Sequence, residues 1–145
     1  MTDRPSDAIP HQATCVAIGG RAILIEGEPG CGKTSLALAL IDRGAILVGD
    51  DGVLLERRGA RLWAMPHPNT RGLIEVRNVG IATIPCGEAM AAIVLDLDAR
   101  APRHVEVADT VERHGIALPR LFFWPDSPVG AIRAEMALAM HGLTL

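Results

Sequence analysis

Lys33 is the only lysine among fourteen basic residues, and it lies in the run Gly27-Glu28-Pro29-Gly30-Cys31-Gly32-Lys33-Thr34. That run matches the phosphate-loop pattern G-x-x-x-x-G-K-[ST] at every defined position. The chain uses arginine wherever a general positive charge suffices. At this one position it keeps a compact ammonium on a flexible stem, which reaches between β- and γ-phosphates where a planar guanidinium fits poorly. The three glycines allow the backbone to turn and aim successive N–H groups at phosphate oxygens. A helix following the loop points its positive end at the same anion. Thr34 supplies a hydroxyl suited to Mg²⁺. Candidate nucleotide contacts therefore run from Gly27 through Ser35. The competing reading is a glycine-rich strand-to-helix turn with a chance Lys-Thr, and the flanking strand and helix patterns argue against it.

Asp50 and Asp51 follow the next apolar run, Ala45 to Val48. Ligands of open α/β sheets collect beyond the carboxyl ends of strands, so this pair is expected to face the bound phosphates. Two adjacent carboxylates permit a division of labour, one holding Mg²⁺ or its water shell and the other accepting a proton from an attacking hydroxyl. A solvated Asp-Gly turn is the alternative. Glu75 and Arg77 alternate onto one face of Leu73-Ile74-Glu75-Val76-Arg77. They either complete a metal shell and clamp a phosphoryl oxygen or form a surface ion pair. His11 precedes the first strand at a place from which it could turn toward the same site, although a lone histidine is more often structural or exposed.

Several elements must position these groups. The runs 14–18 and 22–26, separated by Gly19-Gly20, read as a strand pair whose second member feeds the loop. Lys33 to Arg43 is apolar nearly all round, as suits a helix against a sheet, and Gly44 ends it. A second hairpin turns at Arg58-Gly59-Ala60. Residues 67–72 form a loop, 73–76 a short strand and 91–97 a core strand; 104–112 is ambiguous. Asp126-Ser127-Pro128 reads as an N-cap followed by proline, opening a helix from about 128 to 141 closed by Gly142. On the spacing of Val129, Ile132, Met136, Leu138 and Met140, its methionines are expected in the core.

At 145 residues with 49% apolar and 21% charged side chains, the chain reads as one domain with a real core. Residues 1–10 are expected to be a flexible lead-in and 11–145 a single domain, with a mixed rather than purely parallel sheet. Four aromatic residues, a net charge of −3 and no basic run argue against nucleic acid as a partner. The three cysteines form no C-x-x-C pair and read as reduced thiols. The polar opening and the absence of an apolar run of about 18 residues lead to the expectation of a cytoplasmic protein with no membrane partner.

The stretch from His11 through Asp51 resembles the catalytic domain of HPr kinase/phosphorylase. The shared features are a histidine ahead of two strands, the phosphate loop, a helix ending Asp-Arg-Gly, and a strand ending Val-x-Asp-Asp. Leu73 to Ile81 (LIEVRNVGI) is similar to the family signature Leu-x-Glu-x-Arg-Gly-x-Gly-Ile, with Asn78 in place of a glycine. The resemblance implies an α/β phosphate-loop domain of the HPr kinase/phosphoenolpyruvate carboxykinase type, with a mixed sheet and flanking helices. It implies ATP and Mg²⁺ as cofactors and an HPr-type phosphocarrier as partner, phosphorylated on serine, with reverse phosphorolysis in the family. By position it implies Lys33 at the phosphates, Asp50 as general base, and Asp51 and His11 as its partners. It further implies a metal set of Thr34, Asp51 and Glu75, with Arg77 beside it. The family's later Pro-Gly-Arg-Asn segment is not found in residues 120–133, and the chain reads as a short, single-domain form. Association with further copies of the chain is compatible with the sequence. Two rival readings use the same loop: a kinase of a small hydroxyl-bearing molecule, and a nucleotide-binding regulator without catalysis.

Overall fold

Alternation of apolar residues along short strands builds most of this molecule. The computed structural model describes residues 8–145. Eleven strands and two helices follow in the order β1 (Ile9–His11), β2 (Thr14–Ile18), β3 (Arg21–Glu26), α1 (Lys33–Asp42), β4 (Ile46–Gly49), β5 (Val53–Arg58), β6 (Arg61–Pro66), β7 (Leu73–Val76), β8 (Gly80–Thr83), β9 (Ala89–Leu97), β10 (Asp109–Arg113), β11 (Ile116–Phe123) and α2 (Gly130–His141). A single 3-10 turn, Pro68–Thr70, lies in the loop before β7.

Nine strands form one sheet in the order β1-β5-β6-β9-β3-β2-β4, with β11 also on β9 and β10 on β11. β6 meets the start of β9 at Met90 and Ala89, and β11 takes over the same edge from Val94 to Leu97. Only β3–β9 and β9–β11 are parallel, so the sheet is mixed, as expected. The expected hairpins at Gly19-Gly20 and Gly59-Ala60 are both present as antiparallel pairs. β7 and β8 form a separate two-stranded hairpin.

Alternation sends Val16, Ile23, Ile25, Ile93 and Leu95 to one face, where they meet Ala37 and Leu40 of α1 and Ala131, Ala134, Ala137 and Leu138 of α2. The opposite set, including Cys15, Leu24, Val48, Leu55, Leu62, Val94 and Leu118, is drawn almost wholly from strands. It is buried because the sheet curls on itself, bringing β4 against β6, which is not its neighbour in the sheet. A bulge at Ala92, where the β3 register passes from Ala22↔Ala91 to Ile23↔Ile93, sends both Ala92 and Ile93 to the helix side.

Three expectations are corrected. Residues 1–7 lie outside the described residues, but Ile9 to His11 pair with β5 and are not part of a loose lead-in. The core face of α2 is its alanines and Leu138, while Ile132, Met136 and Met140 are 43%, 56% and 70% exposed. Small side chains let α2 approach α1 closely, so the bulky residues of its apolar pattern face outward. Asp126 does not cap α2: the helix starts at Gly130, and Ser127 Oγ instead accepts from the Val129 N–H at 3.2 Å.

Candidate active site

β3 runs into the phosphate loop, and α1 starts at Lys33 with Gly32 as its left-handed N-cap at φ 104°. Gly27, at φ 145°, is required on two counts: the backbone conformation suits only glycine, and a Cβ there would lie 2.8 Å from Cys31 Sγ. Lys33 is among the few buried polar side chains, 8% exposed, and its Nζ donates to the Gly27 carbonyl at 2.8 Å across the mouth of the loop.

A cavity of about 330 Å³ opens over this loop, and most of the expected site residues line it. Pro29, Gly30, Gly32, Lys33, Thr34 and Ser35 form one wall, while Asp50, Asp51, Glu75 and Arg77 face them. Gly27, Glu28 and Cys31 belong to the far side of the loop and line a neighbouring cavity. Two residues that the sequence did not assign to the site join it. Thr14, fully buried at the start of β2, and Asp126, after β11, both border the cavity. Thr14 is a hydroxyl in an otherwise apolar strand, a weak signal that burial turns into a partner requirement. Asp126 adopts φ 56° and lies where a Cβ on Gly32 would be 3.3 Å from its Oδ1.

The Asp50 carboxylate is held by three donors. The Thr34 hydroxyl donates to Oδ1 at 2.8 Å, the Thr14 hydroxyl to the same oxygen at 3.3 Å, and the Glu75 N–H to Oδ2 at 3.0 Å. Thr14 Oγ1 in turn accepts from the Asp51 N–H at 3.1 Å. Asp51 sits in the left-handed region at φ 62°, exposed at the cavity rim. The β7–β8 hairpin is thus latched to the acidic pair through its backbone, which carries Glu75 and Arg77 to the cavity. Asn78 keeps the hairpin turn at φ 68°, a conformation that asparagine tolerates nearly as well as the glycine of the resembling signature.

His11 is not brought to this cavity. It pairs with Val53 and so shares the face turned away from the helices, the face to which alternation also sends Glu26. His11 Nε2 donates to Glu26 Oε2 at 2.7 Å, and Arg113 grips the same carboxylate through Nε at 3.1 Å and Nη2 at 2.7 Å. Burial raises the Glu26 pKa, but the hydrogen bonds from His11 and Arg113 and the arginine charge outweigh it and hold it at about 2. Glu26 immediately precedes Gly27, so the His11 contact lies at the base of the phosphate loop and not at the acidic pair. The Cys15 thiol is pushed well above its ordinary range by full burial, and the three cysteines are free.

Four carboxylates (Asp50, Asp51, Glu75, Asp126) face two cations (Lys33, Arg77) in the cavity. A bare polyphosphate would meet net repulsion there, whereas one carrying a divalent cation would not. Oxygen donors of this kind suit Mg²⁺. Among the described residues no three His, Cys, Asp or Glu side chains converge as a preformed metal cluster.

The model of the HPr serine kinase C-terminal domain matches residues 6–88. The chain belongs to that family. HPr kinase/phosphorylase of Mycoplasmopsis pulmonis is 39% identical over 71 residues, 49% of this chain and 23% of the relative. HPr kinase/phosphorylase of Clostridium beijerinckii is 36% identical over 106 residues, 73% of this chain and 35% of the relative. The chain therefore spans about a quarter to a third of the length of the curated relatives it matches. The solved Hpr(Ser) kinase/phosphatase from Coxiella burnetii has the same fold, with a TM-score of 0.79 and 24% identity, covering 90% of this chain and 94% of that one. The family match covers the loop, the acidic pair and the β7–β8 hairpin. Among the described residues, no helix is long and apolar enough to cross a membrane.

Proposed function

We propose that this chain transfers the γ-phosphoryl group of ATP to a serine of an HPr-type phosphocarrier protein. The observation that carries the reading is the convergence of Lys33, Thr34, Asp50, Asp51 and Arg77 on one cavity over the phosphate loop. The names of the HPr kinase/phosphorylase relatives supply the class of acceptor. Val79 and Ile81, 81% and 72% exposed beside Arg77, offer an apolar surface at the cavity edge that fits a protein acceptor better than a small metabolite.

In this reading Lys33 leaves the Gly27 carbonyl for the phosphates, and the loop amides receive the spreading charge. Thr34, Asp51 and Glu75 would hold Mg²⁺, which would offset the negative charge of the phosphates. With Thr34 engaged there, the Asp50 oxygen that it now donates to would be open to another donor. Thr14 and the Glu75 N–H keep that carboxylate aimed at the entering serine hydroxyl, whose proton it accepts. Positioning and electrostatics supply most of the rate, with base catalysis worth on the order of 10²–10⁴. Arg77 steadies the equatorial oxygens. Phosphorolysis of phosphoserine by inorganic phosphate would use the same cavity in reverse.

A second assignment of the base, to Asp51, is favoured by the crowding of Asp50: three donors already occupy its oxygens, while Asp51 is exposed. The test is mass spectrometry of a purified HPr-type carrier after incubation with this protein and Mg-ATP. Phosphoserine on the carrier is expected. Asp50→Asn should retain nucleotide binding and lose transfer by more than about tenfold. If Asp51→Asn alone loses it while Mg-nucleotide binding persists, the base is Asp51. Tight nucleotide binding without transfer to any HPr-type carrier would replace the enzyme reading with a nucleotide-binding regulator.

A further inference from the structure

The phosphate loop stands between two sets of strand ends. On one side β2 and β4 lead to Thr14, Asp50 and Asp51. On the other, β9 and β11 run parallel to each other and to β3, ending at Leu97 and Phe123. A polyphosphate whose terminal group faces Asp50 and Asp51 must direct its other end toward β9 and β11. There a second cavity of about 600 Å³ opens against the outer wall of the loop, Gly27, Glu28 and Cys31. It shares Asp126 with the phosphate cavity. Its volume falls within the roughly 300–1,000 Å³ of small-molecule clefts.

The lining suits a nucleoside. Phe122 and Pro125 present apolar surface for a base, and the Phe122 plane is set by the Arg120 guanidinium 4.4 Å from its centroid. Asp98 stands at the turn after β9, its Oδ1 accepting the Arg100 N–H at 2.8 Å. A carboxylate at a strand end is an acceptor for ribose hydroxyls. We propose that this cavity seats the nucleoside of the bound nucleotide, with the base against Phe122 and Pro125 and the ribose toward Asp98. The inference rests on the phosphate-site reading above and adds the residues that distinguish a nucleotide from a bare polyphosphate.

Calorimetric titration with Mg-ADP and with Mg-pyrophosphate separates the two. The native chain is expected to bind Mg-ADP at least about tenfold more tightly than Mg-pyrophosphate. Ala99 is exposed and lines the cavity, so Ala99→Leu narrows the seat without entering the core. It should weaken Mg-ADP by at least about fivefold and leave Mg-pyrophosphate within about twofold. Unchanged pyrophosphate binding also reports that the variant is folded. If Ala99→Leu loses both ligands, Asp98→Asn is read in its place; it keeps the acceptor for the Arg100 N–H and should again weaken Mg-ADP alone. Pyrophosphate binding with no gain from the nucleoside, or an ADP preference untouched by these variants, overturns this inference alone. Binding of neither ligand by the native chain overturns the phosphate-site reading, and this one with it.

Discussion

Replacing Glu26 with glutamine tests whether the base of the phosphate loop is held by a charge. Glu26 is the last residue of β3, its side chain 14% exposed, between His11 of β1 and Arg113 of β10. Burial raises its pKa, but the hydrogen bonds from His11 and Arg113 bring it from an ordinary 4.5 to about 2. At about 1.4 kcal/mol per unit, that depression corresponds to roughly 3 kcal/mol of folding stability at neutral pH. The folded-state pKa lies below the unfolded one, so the unfolded chain takes up the proton first. The stabilisation is fully present above about pH 4.5 and is lost as the pH falls toward about 2. Urea unfolding midpoints measured across this range for the native chain and Glu26→Gln isolate the contribution, because the other carboxylates titrate in both. The variant should be less stable by about 2–3 kcal/mol at pH 7, with the two curves converging as the pH approaches 2. Parallel curves through the acid range would refute the electrostatic account of this cluster. A second consequence separates this role from direct catalysis. His11→Gln should weaken Mg-pyrophosphate binding and stability together, because it acts on the loop through Glu26. Loss of transfer with binding and stability intact would place His11 in the chemistry after all.

Other expectations are simpler. Gly27→Ala puts a methyl group 2.8 Å from Cys31 Sγ on a backbone at φ 145°, so it should cost about 1–3 kcal/mol in denaturant unfolding and weaken Mg-pyrophosphate binding in calorimetry. Leu138→Ala empties a site 2% exposed between α2 and the sheet and should cost about 2–5 kcal/mol, whereas Met136→Ala, two residues away and 56% exposed, should stay within about 0.5 kcal/mol. Equal losses for the pair in thermal unfolding would mean that the orientation of α2 described above is wrong. Lys33→Ala should abolish binding of Mg-ADP and Mg-pyrophosphate alike, and persistence of either in calorimetry would remove Lys33 from the phosphate contacts.

Local patterns carry much of this protein. The phosphate loop is a run of backbone conformations that demand glycine followed by a helix start, and both requirements are visible in eight consecutive residues. The same holds for the hairpins at Gly19-Gly20 and Gly59-Ala60, for β9 as an apolar run from Ala89 to Leu95, and for the end of α1 at Gly44, with φ 110°. The acidic pair was legible because a strand end is a local feature and α/β sheets gather ligands at such ends.

What the sequence left undecided depends on which surfaces meet. The β10–β11 hairpin was not read, because Pro119 and Arg120 interrupt the alternation and parallel pairing on β9 supplies the order. The apolar spacing of α2 was visible, but whether its methionines or its alanines face inward depends on how near α1 lies. Strand pairing decided which face His11 occupies and sent it to Glu26, fifteen residues away in the chain. Thr14 and Asp126 joined the site only when β2 and the segment after β11 were folded beside the loop. The sequence by itself determined the chemistry available at the loop, since those residue types and backbone conformations follow one another along the chain. Tertiary structure alone decided which distant side chains share the cavity, because contact across a curled sheet depends on register and twist and not on spacing along the chain.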